Sequence, residues 1–254
     1  MDIGCDNVFK LEDKKIKFDS SFNFEALEYI NSGGNATVYK LKVDDEYYAL
    51  KIFKTLAPWK VEKFERKLDL SIPSFISPIK ISYFNNKFNG YLMKLCRGDN
   101  LLEQNLDISI GDFIRSSDKL FYDTNLLSES KYLIQDISKT NVMFDGGFKV
   151  IDMDFYAYCP EGVFNDSINN IGEIRRYNKK SVTRVLIDIF AWNAEIKKLF
   201  EQVNELEQLE NDCIIGKISL NQFLSTLCGL VCRNEEYEST KIEEVGKRLI
   251  RIIK

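Results

Sequence analysis

The chain contains no histidine. That absence removes Ser-His-Asp and Cys-His nucleophilic catalysis and every histidine-ligated metal centre. It also lacks a long apolar run. No stretch approaches the ~18 uncharged apolar residues that a transmembrane helix requires, so no membrane span is expected. The N-terminus carries Asp2, Asp6, Glu12 and Asp13 with no apolar core behind them, so no signal peptide is expected. A large excess of either charge is missing too. There are 35 Lys and Arg against 39 Asp and Glu, a net charge of -4, and no global basic field invites nucleic acid. Repeats, low-complexity tracts and extended linkers are absent.

Cysteine is sparse and irregularly placed, at 5, 96, 159, 213, 228 and 232. In a chain of this size that pattern reads as free thiols in a reducing cytosol, so a cytoplasmic location is expected. Cys228 and Cys232 share a helix face, but two ligands alone do not make a zinc site.

What is present is an ordinary globular composition: 254 residues, 44% hydrophobic and 29% charged. That is enough for one large domain or two smaller lobes with a real core. Residues 1–25 are mixed and charged, a strand or arm leading into the fold. Leu27 to Ile30 is strand-like, followed by the small-residue loop Asn31-Ser32-Gly33-Gly34-Asn35-Ala36. Thr37 to Val43 alternates as a second strand, Asp44-Asp45-Glu46 makes a turn, and Tyr47 to Phe53 is a third strand, apolar except for Lys51. Small residues in such a loop let backbone N–H groups approach phosphates, and a lysine on the third strand can reach their oxygens. A plain hairpin with a buried lysine stem fits the same residues.

Pro58 to Leu70 reads as a helix with proline in its first turn and Val61, Phe64 and Leu68 facing inward. Ile72 to Phe84 returns to the sheet, Asn89-Gly90 signals a hairpin, and Gly90 to Cys96 is a strand ending in a connector. The chain leaves the sheet at Arg97 to Leu101. Residues 107–131 read as helix, with an interruption around Tyr122 to Asn125. Tyr156 to Asn170 is loop-like. From about 171 onward the chain is helical. Val182, Val185, Leu186, Ile189 and Phe190 form one stripe there, and Glu195 to Asn211 is an amphipathic, charge-rich segment. Ser219 to Gln222 and Thr240 to Glu243 are capping boxes. The charges of these helices read as solvated faces.

The stretch Tyr132 to Phe155 carries the chemistry. Asp136 precedes Asn141 in a D-x-x-x-x-N pattern, a tight turn follows at Asp145-Gly146-Gly147, and Asp152 ends an apolar strand. A carboxylate at 136 can orient a hydroxyl and accept its proton. The Asn141 amide oxygen and the Asp152 carboxylate are hard oxygen donors suited to Mg²⁺ at phosphates. With Lys51 far upstream, the order matches the parts that phosphoryl transfer needs.

Taken together, these residues resemble the protein-kinase-like superfamily over roughly residues 27–155. The resemblance implies an α+β, two-lobed fold. A nucleotide-binding lobe over 1–96 holds a five-stranded antiparallel sheet with one helix over about 22–96, and a mostly helical catalytic lobe covers 97–254. Asn31, Gly33 and Ala36 stand where the family usually has three glycines, with Gly34 beside them. Val38 takes the valine position over the adenine, and Ala49 lies two residues before Lys51. The resemblance implies that Met93 lies behind the adenine pocket and that Lys94, Leu95 and Cys96 form the hinge. The family pairs a helix glutamate with the strand-three lysine; Glu65 is preferred for that role, with Glu62 as runner-up. The resemblance implies ATP and Mg²⁺ as cofactors, Asn141 and Asp152 as metal ligands, and Asp136, Lys51 and Lys139 as catalytic residues.

The departures concern the acceptor. Ile134-Gln135 replaces the family's His-Arg, so activation by loop phosphorylation is not expected. Ser138 stands where the family has lysine, with Lys139 next door. Asp152-Met153-Asp154 replaces Asp-Phe-Gly, and this I-D-x-D pattern is similar to the aminoglycoside and choline phosphotransferase branch. Cys159-Pro160-Glu161 echoes Ala-Pro-Glu but lies too close to Asp152 for a peptide-docking segment, and Trp192 does not match the tryptophan motif of the helix that follows in the family. The expected function is transfer of the ATP γ-phosphate to a hydroxyl, a protein Ser/Thr in the first reading. A small-molecule acceptor and a nucleotide-binding pseudokinase scaffold are the alternatives.

Overall fold

The computed structural model describes residues 9–56, 60–100, 107–191, 194–232 and 238–253. Asp2, Cys5, Asp6, Pro58, Leu101 and Trp192 lie outside them. The chain is α+β and divides into two compact units. One comprises Met1–Ile72 and Ile76–Arg97; the other comprises Pro73–Phe75 and Gly98–Lys254.

The first unit is built on a mixed sheet of seven strands: β1 (Phe9–Leu11), β2 (Lys15–Phe18), β3 (Glu28–Ser32), β4 (Ala36–Val43), β5 (Glu46–Phe53), β6 (Pro78–Phe84) and β7 (Lys87–Lys94). Their order is β1-β2-β6-β7-β5-β4-β3. Five antiparallel strands were expected. The difference is the β1–β2 hairpin, which joins the sheet through a parallel pairing of β2 with β6. The physical reason is a face that needs covering. Leu41, Leu50 and Leu92 point to the side where Ile16, Phe18 and Phe22 pack. Phe18, Phe22 and Phe24 extend that layer as a run of ring contacts, 4.3 Å between the first two centroids and 4.9 Å between the last two. Burying aromatic surface offsets the entropy of ordering the N-terminal segment.

Period-two alternation on β4 and β5 sends Ala36, Ala49 and Phe53 to the opposite face, where they meet Phe64, Tyr91 and Met93. Phe64 comes from helix α1 (Val61–Glu65). This helix is shorter than the expected Pro58–Leu70. Beyond it Lys67, Leu68 and Leu70 donate three residues back, to Phe64, Glu65 and Lys67, so the chain tightens into turns.

Asn89-Gly90 is not the hairpin turn. The β6–β7 turn is Asn85-Asn86, both left-handed at φ 50° and 62°, as a two-residue turn of the primed type requires. Gly90 instead lies mid-strand, paired with Ile52 on one side and Ser82 on the other. A Cβ at this position would lie 1.9 Å from the Lys51 carbonyl oxygen.

The second unit holds six helices among its described residues: α2 (Ile110–Glu129), α3 (Ile171–Phe190), α4 (Ala194–Gln202), α5 (Asn204–Ile214), α6 (Leu220–Val231) and α7 (Ile242–Ile253). It also holds short strands β8 (Asp99–Asn100), β9 (Tyr132–Leu133), β10 (Val142–Phe144), β11 (Phe148–Val150) and β12 (Ala157–Tyr158), paired as β11-β10-β8 and β12-β9. The expected interruption of α2 is absent because its polar residues are satisfied inside the helix packing. Buried Asp123 accepts from the Ser74 N–H at 2.9 Å, and Thr124 donates to the Leu120 carbonyl at 2.6 Å. The amphipathic segment over 195–211 is helical on both sides of Val203, whose backbone is extended. The Ser219–Gln222 capping box is formed, and α6 opens on it. Pro73–Phe75 is stitched into this unit by more than Asp123. Val150 N–H donates to the Ser74 carbonyl at 2.7 Å, and Lys149 Nζ to the Pro73 carbonyl at 2.9 Å. No helix among the described residues is long and apolar enough to cross a membrane.

Candidate functional site

The stretch after β9 is held from beneath by one residue, Asn178 of α3. It is fully buried, one turn from Ile174 and one from Val182 on the same stripe. Its side-chain oxygen accepts from the Ile134 N–H at 2.7 Å, and its amide donates to the Tyr132 carbonyl at 2.8 Å and to Ser128 Oγ at 2.9 Å. With its approach pinned, the chain enters a left-handed residue at Asp136, φ 59°. Aspartate tolerates that region better than most non-glycine residues. The Asp136 side chain is exposed.

A short 3-10 turn over Lys139–Asn141 follows. Asn141 donates from Nδ2 to the Asp136 carbonyl at 3.2 Å. Its own carbonyl accepts from the Ile151 N–H at 2.8 Å. The link exists because β10 and β11 fold back over Asp145 to Gly147, where Gly146 and Gly147 have φ 61° and 157° and the Asp145 N–H donates to the Gly147 carbonyl at 3.0 Å. The hairpin thus brings Asp152, next after Ile151, beside Asn141. Asp152 is itself left-handed at φ 63°, and its carboxylate accepts from the Asp154 N–H at 3.3 Å. Asp136, Asn141 and Asp152 are therefore gathered on one short hydrogen-bonded frame. Two acidic residues held in a sparsely populated backbone region mark a place where geometry is over-determined. Lys139, half-buried, sits in the turn between them.

Two further polar groups lie here. Asp154 is 2% exposed, a second carboxyl-bearing residue next to Asp152 in the chain. Tyr156 is 1% exposed, and its hydroxyl has no hydrogen-bond partner. Burial pushes the Tyr156 hydroxyl pKa up, and the negative charges of Asp152 and Asp136 push it further the same way. The ring therefore lies within electrostatic reach of both acids.

The residues expected to bind nucleotide lie in the first unit. Lys51 on β5 is 6% exposed, and its ammonium lies 5.8 Å from the centre of the Tyr91 ring. The sheet register sets Lys51 opposite Val38 and Tyr91, Ala49 opposite Met93, and Asn31 opposite Val38. Ala36, Val38, Ala49, Met93 and Leu95 share one packed cluster. Gly33 and Gly34 form the exposed tip between β3 and β4, closed by the Gly33 N–H donating to the Ala36 carbonyl at 2.9 Å. Strand β7 stops at Lys94, so Leu95 and Cys96 follow as an irregular connector. Glu65 and Glu62 are both exposed on α1.

Sequence reasoning missed Asn178, Tyr156 and the structural use of Gly90. Asn178 had a signal: a lone polar residue in register with the apolar positions of α3. Among the described residues no group of three or more Cys, Asp or Glu is placed to hold a metal ion by itself. Asn141 and Asp152 form a two-member oxygen set, which suits Mg²⁺ because that ion normally keeps water and phosphate oxygens in its remaining positions. No protein-family model matches this chain, and no curated protein matches it either.

Proposed function

We propose that the chain is an ATP- and Mg²⁺-dependent phosphotransferase, with its two units as the sheet lobe and the helical lobe of a protein-kinase-like enzyme. The observation that carries this reading is the frame at 136–152. Asp136 and Asp152 are both left-handed and are joined through Asn141, whose side chain binds one acid's backbone and whose carbonyl binds the residue before the other. Such a frame fixes a proton acceptor and a pair of oxygen ligands without help from a bound substrate.

In the reaction, the acceptor hydroxyl oxygen forms a bond to the γ-phosphorus, the bond from that phosphorus to the β-phosphate oxygen breaks, and ADP leaves. Asp136 takes the hydroxyl proton. Lys51 neutralises phosphate oxygens, and Lys139 faces the charge on the transferring group. Bound Mg²⁺, held by Asn141 and Asp152, would supply charge neutralisation at the phosphates.

The first acceptor reading, a protein Ser/Thr, rests on the nucleotide-side residues. One observation favours a small-molecule hydroxyl instead. The segment after Asp152 folds back at once: β12 pairs with β9, the Cys159 N–H donates to the Lys131 carbonyl at 2.8 Å, and Asn170 already caps α3. Little free chain remains to make a shelf for a peptide.

The test is labelled ATP offered with peptide and small-molecule acceptors. Turnover is expected to need Mg²⁺ and to drop by about 10²-fold or more in Asp136→Ala. An Asp152→Ala protein that turns over at the wild-type rate would sink the mechanism. Mg-ATP binding without turnover in wild type would favour the pseudokinase alternative.

A further inference from the structure

The helical unit contains a cavity of about 600 Å³ bordered by α2, α3, the end of α5 and the start of α6. Its α3 wall carries Arg176, Lys179 and Lys180, spaced so that all three share a face. The bland reading of such charges is a solvated helix surface. Three observations argue against it here.

First, three cations close by are paired with acids, while the cavity's three are not. Arg175 pairs with Glu129 at 3.0 Å, Lys217 with Asp212 at 3.0 Å, and Lys197 with Asp188 at 3.7 Å. Among the described residues Arg176, Lys179 and Lys180 make no salt bridge, in a chain whose acids outnumber its bases. Second, Thr183 lies one turn further along the same wall and is 4% exposed. Helix threonines elsewhere in this unit bond back to their own helix: Thr124 to the Leu120 carbonyl at 2.6 Å, Thr226 to the Gln222 carbonyl at 2.9 Å. The Thr183 hydroxyl makes no such bond among the described residues, and Thr183 lines the cavity. Third, the charge of Lys179 is felt at the opposite wall. Burial raises the pKa of the Cys213 thiol on the opposite wall to about 11, and the Lys179 charge pulls it the other way.

We propose that this cavity binds a small phosphate monoester with a hydroxyl-bearing body. Arg176, Lys179 and Lys180 supply charge-assisted donors for the phosphate oxygens, as clustered guanidinium and ammonium groups do. The Thr183 hydroxyl gains the partner it lacks. Asp118 and Asn125 on the α2 wall accept from and donate to hydroxyls of the body, and Phe121 and Leu220 supply apolar contact. The volume suits a metabolite-sized ligand rather than a bare ion.

The experiment titrates glucose 6-phosphate, glucose and inorganic phosphate into the full chain by calorimetry, without ATP. Glucose 6-phosphate is expected to bind, inorganic phosphate more weakly, and glucose not at all. The double variant Arg176→Ala/Lys180→Ala is expected to lose about tenfold or more in affinity for glucose 6-phosphate. These side chains are exposed, so the fold should be retained, and circular dichroism checks it. Arg175→Ala, outside the cavity, and Asp152→Ala, at the proposed metal position, should bind as wild type does. Absence of binding at millimolar glucose 6-phosphate overturns the proposal, as does a double variant that binds like wild type. Loss of binding in Asp152→Ala would assign the ligand to the transfer site and overturn it too. Equal affinity for inorganic phosphate overturns the role given to Asp118 and Asn125. None of these outcomes depends on ATP turnover.

Discussion

Replacing Gly90 by alanine tests the sheet at the point where it holds Lys51. The added Cβ would stand 1.9 Å from the Lys51 carbonyl oxygen and 2.9 Å from its carbonyl carbon. Both neighbours are backbone, so no side chain can rotate away. A carbon and a carbonyl oxygen approach to about 3.3 Å, so β5 and β7 must part locally by roughly 1.4 Å. A ladder bond of ordinary length stretched by that much is lost. Two lost bonds at about 1 kcal/mol each, plus about 1–3 kcal/mol for repacking, put the cost near 3–5 kcal/mol. For a protein of this size that corresponds to a fall in melting temperature of roughly 6–20 °C. The control is Gly34→Ala, the same chemical change at the hairpin tip, where an added Cβ meets nothing within 4 Å. It should leave the melting temperature within a degree or two, or raise it slightly by restricting the unfolded chain. Thermal melts of both variants and wild type under identical conditions decide the matter. Gly90→Ala melting with wild type would mean that β5 and β7 are not in the register described. Because the displaced oxygen belongs to Lys51, ATP-analogue binding should weaken in Gly90→Ala.

Asn178→Ala leaves the Ile134 N–H, the Tyr132 carbonyl and the Ser128 hydroxyl without their shared partner. A loss of about 3 kcal/mol is expected in urea unfolding, with ATP turnover falling further than stability alone explains; a variant as stable as wild type would contradict the pinning role. Gly98→Ala places a Cβ 2.1 Å from the Phe144 carbonyl oxygen. It should destabilise the β8–β10 pairing by about 2 kcal/mol or more, read as faster hydrogen exchange at Met143 and Phe144. Burial raises the thiol pKa of Cys213 to about 11 and of Cys228 to about 12. The reactive thiolate is therefore scarce at pH 8 and grows only as pH rises toward those values. Peptide mapping after brief iodoacetamide treatment of the native protein should find Cys96 and Cys232, both partly exposed, modified before either.

The parts of the fold legible in the sequence were those governed by local pattern. Alternation marked β4 and β5 because each apolar residue there meets a packed face, and the Asp44–Asp45 turn needs no tertiary context. The acid–amide–acid order from Asp136 to Asp152 was visible for the same reason: a tight glycine hairpin joins its members. What escaped depends on contacts distant in sequence. The strand Lys15–Phe18 has only two apolar residues, and its parallel partner begins at Pro78. Asn89-Gly90 carries a strong turn signal, but the glycine is needed for a close backbone approach, and the adjacent asparagines took the turn. Asp123 and Thr124 looked like a helix break because polarity was visible and their partners were not. Asn178 stands out in the sequence only by its register with the apolar stripe, and its role depends on three backbone and side-chain groups that converge on it from α2, β9 and the residue after β9.

The tripeptide Pro73–Phe75 bears on how this protein can be dissected. The chain passes from the first unit into the second, back again, and over once more, at 72/73, 75/76 and 97/98. No single cut therefore frees either unit intact. A fragment beginning at Gly98 would carry the whole 136–152 frame but would strand Asp123 and the Val150 N–H, both of which depend on Ser74. Val150 ends the very strand that leads to Asp152. The helical unit is thus severable from the sheet unit only at the expense of the strand that leads into its 136–152 frame, and expression of residues 98–254 should give a poorly behaved protein unless the missing tripeptide is supplied.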